Sequence, residues 1–317
     1  MENLLSIIVP VYKEEKNIPI FLERIEGILN GISMEYEIIF CLDPSSDRSY
    51  EIIRENIERN NAIKLIQFSR RFGQPAATMA GIFNCKGEIC IIMDVDLQDP
   101  PELIPVMIAK WREGYNVVYA KRRSRKGESP IKKMVAYLGY YLINKMSEIE
   151  IPRNTGDFRL IDRIIMENLR NLKETNAFLK GLVPLIGYKQ TSVEFDREAR
   201  YAGKGNYNRF IGDLRICFNG IYCFSSKPLQ MMSFVGFFVV ALSILLIIWY
   251  LLQKLIINTD ITPGLSSTII IVTFFSGLQL FFMGLIGEYV SRIYDEVKGR
   301  PMYIISEIID KTQKDKE

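Results

Sequence analysis

Residues 88–102 read Glu88-Ile-Cys-Ile-Ile-Met-Asp94-Val-Asp96-Leu-Gln-Asp-Pro-Pro-Glu102, an apolar run that ends in closely spaced acids and two prolines. The run predicts a buried strand, and the prolines stop it. Because side chains alternate along a strand, Asp94 and Asp96 can face one ligand only if the strand ends in a turn. Carboxylates suit Mg²⁺ or Mn²⁺, which can hold a diphosphate. A solvated acidic turn is the alternative for a bare Asp-x-Asp, but the Leu-Gln-Asp-Pro-Pro-Glu that follows favours a nucleotide-sugar site.

The chain around this strand alternates between apolar runs and helical patterns. Strands are predicted at Leu5–Tyr12, Tyr36–Leu42, Ile63–Phe68, Ile89–Met93 and Tyr115–Ala120, and helices at Asn17–Leu29, Arg48–Arg59, Gln74–Phe83 and Pro101–Trp111. Such alternation predicts an α/β domain with a mainly parallel sheet. Ligands of open sheets bind beyond the carboxyl ends of the strands. Asp43, the basic run 69–71 and the pair Asp94/Asp96 all follow strands, so we expect them along one edge.

The chain has enough apolar residues to form the core of a full domain, and it has further apolar residues beyond that need. Of the 317 residues 48% are hydrophobic, and two runs, Leu229–Leu252 and Leu265–Gly287, contain no Asp, Glu, Lys or Arg. At about 1.5 Å per residue, each run can cross a hydrocarbon layer of about 30 Å. A buried core helix is the alternative for either run alone. Two such runs with a short loop between them predict a transmembrane hairpin.

The flanking charges predict the orientation of this hairpin. Basic residues lie on the outer side of both runs: Lys204, Arg209, Arg215, Lys227, Arg292, Lys298 and Arg300. The loop between the runs has one Lys and one Asp. By the positive-inside rule both ends are cytoplasmic. Since Leu4–Val11 is too short for a signal sequence and lacks a basic leader, we expect a cytoplasmic N-terminal domain held at the inner (plasma) membrane.

The cysteine and histidine contents limit the chemistry. The five cysteines include no Cys-x-x-Cys pair and indicate reduced thiols in a cytosolic setting. The absence of histidine excludes His-based triads, His-ligated metals and phosphohistidine chemistry. A reaction here must therefore use a nucleophile that is already ionised, or a carboxylate base. The net charge of +3 gives no sign of a nucleic-acid partner, and none is expected.

Two segments carry apolar stripes at helical spacing. One follows the basic cluster 121–126 and occupies residues 130–148, and the other occupies residues 206–228 before the first charge-free run. Packing on the sheet is the alternative for the first segment. The favoured interpretation for both is an amphipathic helix at the membrane interface.

Five shorter segments leave two interpretations open or indicate local structure only. Asp43 can contact a base or ribose, or belong to an ordinary turn before a helix. The run 69–71 can bind a diphosphate or be an ordinary basic loop before a helix. The Gly-containing basic loop 197–207 can also bind a diphosphate, or it can be a linker near lipid headgroups. Asp157 follows a glycine, which suits an acid exposed in a tight turn, and residues 310–317 are predicted to be a frayed tail.

Five stretches resemble family 2 glycosyltransferases of the polyisoprenyl-phosphate type. The resemblance is to bacterial bactoprenol (undecaprenyl phosphate) glucosyltransferases and, beyond them, to dolichol-phosphate mannose synthases. The stretches are Ile8-Val-Pro-Val-Tyr-Lys-Glu-Glu15, residues 94–102, Gly156-Asp-Phe-Arg-Leu160, Phe178-Leu-Lys-Gly181 and Ile286-Gly-Glu-Tyr-Val-Ser-Arg-Ile-Tyr294. The resemblance as a whole covers essentially the whole chain, from the first strand to Pro301 after the second charge-free run. One departure is that the family's Asn or Asp followed by Asp-Gly-Ser is Leu42-Asp43-Pro44-Ser45 here.

The resemblance implies a GT-A-type domain and a reaction. A hexose would pass with inversion from a UDP-sugar to a polyisoprenyl phosphate, with Mg²⁺ or Mn²⁺ as the cofactor. UDP-glucose and undecaprenyl phosphate are the expected pair, and N-acetylglucosamine, galactose and aminoarabinose remain open as sugars. A processive polysaccharide synthase is disfavoured because Gln-x-x-Arg-Trp is absent, and a non-catalytic membrane accessory protein is the other alternative. The resemblance also implies a homo-oligomer, a tetramer.

Carried over position by position, the resemblance assigns site residues. The catalytic positions are Asp157 and Asp94. The metal positions are Asp96, Gln98 and Asp94. The nucleotide-sugar positions are Pro10, Tyr12, Glu14, Asp43, Arg71, Arg200 and Lys204. The lipid-phosphate positions are Arg122, Arg123 and Lys132.

The expected organisation follows from these patterns. It comprises a cytoplasmic GT-A domain at 1–205 that includes the interfacial helix, a juxtamembrane helix at 206–228, transmembrane helices at 229–252 and 265–290, and a cytoplasmic tail at 291–317.

Overall fold

The structure is a computed structural model that describes residues 3–123, 145–146, 152, 155–172, 174, 179–196, 222–223, 225–252 and 265–314. The chain divides into two compact units. The first contains the described residues up to 123, those from 152 to 196 and those from 301 on. The second contains residues 145–146 and the described residues from 222 to 300.

The described elements alternate over the first half of the chain, as predicted. The strands are β1 (Leu4–Val11), β2 (Glu35–Leu42), β3 (Ile63–Phe68), β4 (Ile89–Ile92), β5 (Val117–Arg122), β6 (Thr155–Asp162), β7 (Gln190–Phe195) and β8 (Ile305–Ile309). The helices are α1 (Ile18–Leu29), α2 (Ser49–Arg59), α3 (Gln74–Asn84), α4 (Ile104–Arg112), α5 (Arg163–Asn171), α6 (Leu179–Ile186), α7 (Lys227–Leu252), α8 (Leu265–Lys298) and α9 (Lys311–Lys314), with a 3₁₀ turn at Pro101–Leu103.

The strands form one eight-stranded sheet in the order β7-β5-β6-β4-β1-β2-β3-β8. Strand β1 pairs in parallel with β2 and β4, β2 with β3, and β5 with β7. The mainly parallel α/β sheet predicted from the sequence is therefore confirmed. Strand β1 is buried along almost its whole length, which explains its nearly continuous apolar sequence. On one face, Phe21 of α1 packs edge-on against Phe40 of β2.

Strand β6 lies between β4 and β5, antiparallel to both, and the sequence pattern did not predict it. The expectation of an acid in an exposed tight turn is wrong, because Asp157 lies within β6 and its side chain is 32% exposed. The sequence of this strand shows no hydrophobic pattern because it contains Asp157, Arg159 and Asp162. Its formation depends on hydrogen bonds to both neighbouring strands rather than on local sequence.

The C-terminal residues return to the sheet, so the prediction of a frayed end at 310–317 is wrong for residues 310–314, which include the short helix α9. The cytoplasmic location of residues 291–317 stays a prediction. Strand β8 pairs antiparallel with the edge strand β3. Just before β8, the Ile304 carbonyl accepts a hydrogen bond from the Ser69 amide at 2.9 Å, and the ring of Tyr303 packs against Phe68. Pairing with β3 covers an edge that would otherwise be open.

A buried ion cluster follows β8. The ammonium nitrogen of Lys64 lies 2.9 Å from Glu37 Oε2 and 3.0 Å from Asp310 Oδ2, and Lys86 Nζ lies 3.2 Å from the same Asp310 oxygen. Burial alone would raise the pKa of Asp310, but the Thr312 hydroxyl and the two ammonium groups outweigh it and lower the pKa to about 2. The cluster thus ties the C-terminal residues to β2 and β3.

Replacing Asp310 is expected to destabilise the sheet unit in a pH-dependent way. Because the folded pKa is below the unfolded value of 3.8, the carboxylate contributes stability above about pH 4 that is lost as the pH falls towards 2. Asp310→Asn should lower the free energy of unfolding by about 2 kcal/mol and the Tm by about 4–8 °C at pH 7. Thermal melts of purified protein at pH 3 and pH 7 measure this.

Glu113→Gln is the matched control, because it removes only the exposed Lys110–Glu113 pair on α4. Its Tm should stay within about 2 °C of the wild-type value. Equal melting temperatures of wild type and Asp310→Asn at pH 7 would contradict the stabilising role of the cluster.

In the second unit, α7 and α8 expose large apolar side chains. Phe234 and Phe237 of α7 are 80% and 76% exposed, and Leu280 of α8 is 69% exposed. Within the described part of the chain, the stretch Phe274–Lys298 is long and apolar enough to cross a membrane. The two-helix hairpin at 229–252 and 265–290 stays a prediction, and the loop that would join its helices lies outside the described residues.

Helix α8 continues beyond its predicted end at residue 290. It ends at Lys298, where Gly299 adopts a φ of +57° and Pro301 follows shortly after, a common way to stop a helix. Near this end, the Tyr289 hydroxyl donates to the Ser225 carbonyl at 2.8 Å, and Arg292 bonds to Glu288. The predicted interfacial helices at 130–148 and 206–228 lie mostly outside the described residues.

Candidate active site

Asp43 is buried at the end of β2, where its carboxylate shapes the loop that follows β3. Its two oxygens accept hydrogen bonds from the backbone N–H groups of Phe72 and Gly73, both at 2.9 Å. Gly73 has a φ of +91°, which other residues rarely adopt, and it places this loop against Asp43 before α3 begins. Since a carboxylate can accept about four hydrogen bonds, Asp43 can also accept the predicted hydrogen bond from a nucleoside.

Two arginine side chains of this loop stack on aromatic rings. The guanidinium carbon of Arg71 lies 3.9 Å from the centre of the Tyr12 ring, and that of Arg70 lies 4.0 Å from the centre of the Phe72 ring. Tyr12 directly follows β1, so Arg71 and Tyr12 meet at the carboxyl edge of the sheet. A guanidinium that lies over a ring in this way can donate hydrogen bonds to phosphate oxygens. Glu14, further along, accepts a hydrogen bond from the side-chain amide of Asn17.

The acidic pair lies on a turn, as its spacing required. Strand β4 ends at Ile92, and the chain turns through residues 95–97. Leu97 has a φ of +61°, which is unusual for a leucine, and its side chain is buried in the core of the sheet unit. Asp96 is 3% exposed, and its Oδ1 accepts a hydrogen bond from the backbone N–H of Gln98 at 3.1 Å. A further acid that the sequence pattern did not single out, Asp99, accepts from the Asp94 amide at 3.3 Å.

The donor set of this turn fits a hard divalent cation. Asp94, Asp96 and Gln98 offer carboxylate and amide oxygens, which are ligands that Mg²⁺ and Mn²⁺ accept. Among the residues that the structure describes, no three His, Cys, Asp or Glu side chains form a metal-binding group. Carboxylates of this kind suit a cation that takes one or two of them from the protein and its other ligands from substrate phosphates and water.

The antiparallel pairing of β4 and β6 brings Asp94 and Asp157 to the same end of these strands. Ile92, the last residue of β4, pairs with Arg159 of β6, and each acid lies two residues beyond that pair. The side-chain amide of Gln74, at the start of α3, joins the two. Its nitrogen lies 2.8 Å from Asp94 Oδ1 and 3.4 Å from Asp157 Oδ2. Asp94 and Asp157, which are 63 residues apart in sequence, thus belong to one site.

Three cations surround Asp157. Lys180 Nζ and Arg159 Nη2 lie 3.8 and 3.7 Å from Asp157 Oδ1, and Arg122 is the third. Burial acts to raise the pKa of Asp157, but the charges of Lys180, Arg159 and Arg122 outweigh it, so the pKa lies below its usual value. Asp157 is consequently a carboxylate at neutral pH and a weak base.

Arg159 has no exposed surface, and sequence reasoning assigned it no role. Its guanidinium donates to the carbonyls of Asp157 at 3.3 Å, Leu179 at 3.3 Å and Gly156 at 2.9 Å, and it lies over the ring of Tyr119. A charged residue in the middle of a strand was the available signal. Its buried position identifies it as a group that shapes the site rather than one that contacts a ligand.

The two neighbouring arginines at the end of β5 face different surroundings. A Cβ at position 156 would lie 3.0 Å from Arg122 Nη2, so glycine there lets this guanidinium approach the residue before Asp157. Arg123 instead lies 3.6 Å from Glu194 and 3.7 Å from Asp196. The structure thus brings Arg122, but not Arg123, to Asp157. Arg200, Lys204 and Lys132 lie outside the described residues.

Residues 6–170 match the family described as Glycosyl transferase family 2, and this range contains every site residue above except Lys180 and the residues beyond it. The chain belongs to glycosyl transferase family 2. Together with the mainly parallel sheet, this match confirms the predicted GT-A-type fold and shows that the protein is a glycosyltransferase.

Relatives of this family 2 glycosyltransferase match over almost its whole length. YkcC, an uncharacterized glycosyltransferase of Bacillus subtilis, is 45% identical over 95% of this chain and 92% of its own. The SfII prophage-derived bactoprenol glucosyl transferase of Shigella flexneri is 37% identical over 95% of this chain and 97% of its own. Among solved structures, the mannosyltransferase PcManGT of Pyrobaculum calidifontis, in complex with GDP-Man and Mn²⁺, has a TM-score of 0.48 and 16% identity, over 72% of this chain and 64% of that chain.

Proposed function

We propose that this family 2 glycosyltransferase transfers a hexose with inversion from a UDP-sugar to the phosphate of a polyisoprenyl phosphate, with UDP-glucose and undecaprenyl phosphate as the expected pair. The bridge made by Gln74 supports this most directly, because one amide touches Asp94 on the cation-binding turn and Asp157 among the basic residues. Donor and acceptor groups would thus meet at one edge of the sheet. The similarity to a bactoprenol glucosyl transferase supports the choice of acceptor and sugar.

The acceptor needs no strong base. A phosphate monoester has its second pKa near about 6, so at neutral pH it is mostly a dianion and already nucleophilic. This fits a chain without histidine. Because the pKa of Asp157 is lowered, its carboxylate accepts a proton poorly, and we assign it to orienting the acceptor and shaping the local charge.

The donor half of the site would be held by the residues at the ends of β1 to β4. Asp94, Asp96 and Gln98 would hold Mg²⁺ or Mn²⁺, which when bound supplies positive charge to the departing diphosphate. Arg71, stacked on Tyr12, would contribute further positive charge there. Pro10, Glu14 and Asp43 would frame the nucleoside.

A lipid acceptor also fits the second unit. Its long helix α8 is apolar and exposed, as expected of a helix in a bilayer. We place the protein in the inner (plasma) membrane as a multi-pass homo-oligomer, with the catalytic unit and the C-terminus in the cytoplasm.

UDP release by detergent-purified protein tests the reaction. A panel of UDP-sugars is supplied with undecaprenyl phosphate, with undecaprenol or with no lipid. We expect release with one sugar that depends on the lipid phosphate. No phosphate-dependent release with any nucleotide sugar, despite metal-dependent UDP binding, would overturn the proposed reaction and favour a non-catalytic role.

A further inference from the structure

The acceptor side of the site poses an electrostatic problem. A phosphate dianion must approach Asp157, which is itself negative, so a cation must lie between the two or beside them. Three basic residues surround Asp157, and they differ in what they can reach. Their exposure and existing hydrogen bonds decide which of them can bind a ligand.

Arg159 cannot contact an acceptor. It has no exposed surface, and its guanidinium already donates to three backbone carbonyls. Lys180 differs on both counts. Its side chain is 23% exposed, and its nitrogen lies 3.8 Å from Asp157 Oδ1, beyond hydrogen-bond distance, so Asp157 does not use its N–H donors.

The position of Lys180 is set by Arg159. One guanidinium nitrogen bonds to the carbonyl of Leu179, the residue before Lys180, and the other two bond to the carbonyls of Asp157 and Gly156. A single rigid, planar group thus holds the backbone on both sides of the Asp157–Lys180 pair. The backbone on which the carboxylate and the ammonium group are mounted is therefore held by one buried group, as expected of a preorganised site.

We propose that Lys180 binds the acceptor phosphate by donating hydrogen bonds to its oxygens, and that the buried Arg159 positions Lys180 beside Asp157. The role of Lys180 rests on the proposed function and adds to it a phosphate-binding residue beyond Arg122, Arg123 and Lys132. In the reaction, a phosphate oxygen forms a bond to the anomeric carbon. The bond from that carbon to the diphosphate oxygen breaks, and its electron pair leaves with UDP. Lys180 keeps its protons throughout.

Steady-state kinetics with Lys180→Met and Lys180→Arg test this role. Lys180→Met should raise the KM for undecaprenyl phosphate at least about tenfold and change the KM for UDP-glucose less than about twofold, because only the acceptor loses a contact. Lys180→Arg should recover most of the acceptor affinity, since it restores a cation with several donors. The matched control is Lys110→Met, which removes a lysine paired with Glu113 on the surface of α4 and should match the wild type.

A double variant tests the positioning by Arg159. Arg159→Lys keeps the charge but cannot make the same three carbonyl contacts, so it should also raise the acceptor KM. In Arg159→Lys/Lys180→Met the two effects should be clearly less than additive, because both act through one contact. Fully additive effects would show that Arg159 acts on the fold alone and overturn its positioning role.

Two outcomes would overturn the role of Lys180. The first is an unchanged acceptor KM in Lys180→Met, and the second is an equal rise in the KM of donor and acceptor. If the wild type itself shows no phosphate-dependent release, the proposed reaction fails separately. In that case the role of Lys180 is tested by binding alone, as the difference in affinity between undecaprenyl phosphate and undecaprenol. If wild type and Lys180→Met show the same difference, Lys180 does not bind the phosphate.

Discussion

Asp96→Ala is expected to lower turnover by at least about 10³-fold and to abolish metal-dependent UDP binding. Asp96 is almost fully buried on the turn after β4, so the fold holds its carboxylate in one position. Without this carboxylate, the turn would no longer hold the cation that we propose there, and the departing diphosphate would lose the positive charge that this cation supplies. The measurement is UDP release at saturating donor and lipid, together with UDP binding with and without added Mg²⁺ or Mn²⁺.

Two further variants separate this effect from damage to the turn. Asp96→Asn keeps the shape and an oxygen that can accept from the Gln98 amide, and should lose nearly as much activity. Glu102→Ala removes an exposed acid of the same segment, paired with Arg24, and should stay close to wild type. Metal-dependent turnover of Asp96→Ala within about tenfold of wild type would remove Asp96 from the metal site.

Asp157→Asn is expected to lower kcat by about 10²–10³-fold while the KM for the donor stays nearly constant. Asparagine keeps an oxygen that can accept from Gln74 but removes the charge that balances Lys180, Arg159 and Arg122. The acceptor phosphate would then bind to an unbalanced cluster of cations and lose its orientation towards the anomeric carbon. Measuring kcat and both KM values over a range of pH tests this.

The control for Asp157→Asn is Asp162→Asn at the other end of the same strand. Asp162 caps α5 by accepting from the Ile165 amide, so its replacement should lower stability but leave the kinetic constants of the folded protein unchanged. Near-normal turnover of Asp157→Asn at every pH would remove the catalytic assignment.

Much of the fold is readable from local sequence. The strands β1 to β4 are largely buried on both faces and therefore consist mostly of apolar residues that end in turn residues, with Glu37 of β2 and Lys64 of β3 paired to each other. Strands β6, β7 and β8 were not predicted, and for β6 and β8 the physical reason is clear. Strand β6 carries three charged side chains whose partners Lys180, Leu179 and Asn116 lie elsewhere in the chain, and β8 is a short edge strand whose pairing with β3 is not encoded nearby.

The candidate site divides in the same way. The strand-end position of Asp94 and Asp96 and the requirement for a turn follow from residues 88–102 alone. The family resemblance then pointed to Asp157. Neither indicated that Gln74 would bridge Asp94 and Asp157 or that Lys180 would lie beside Asp157, since these contacts join α3, β6 and α6.

By itself, the sequence determined a parallel α/β domain with an acidic turn at the carboxyl edge of its sheet, because strand burial and turn formation depend on neighbouring residues. The tertiary structure alone decided that the acid of β6 faces this turn. The reason is the antiparallel register between β4 and β6, which depends on backbone hydrogen bonds between segments far apart in the chain. It also decided that Arg159 is buried, because only the assembled sheet and the start of α6 provide the carbonyls that a buried guanidinium requires.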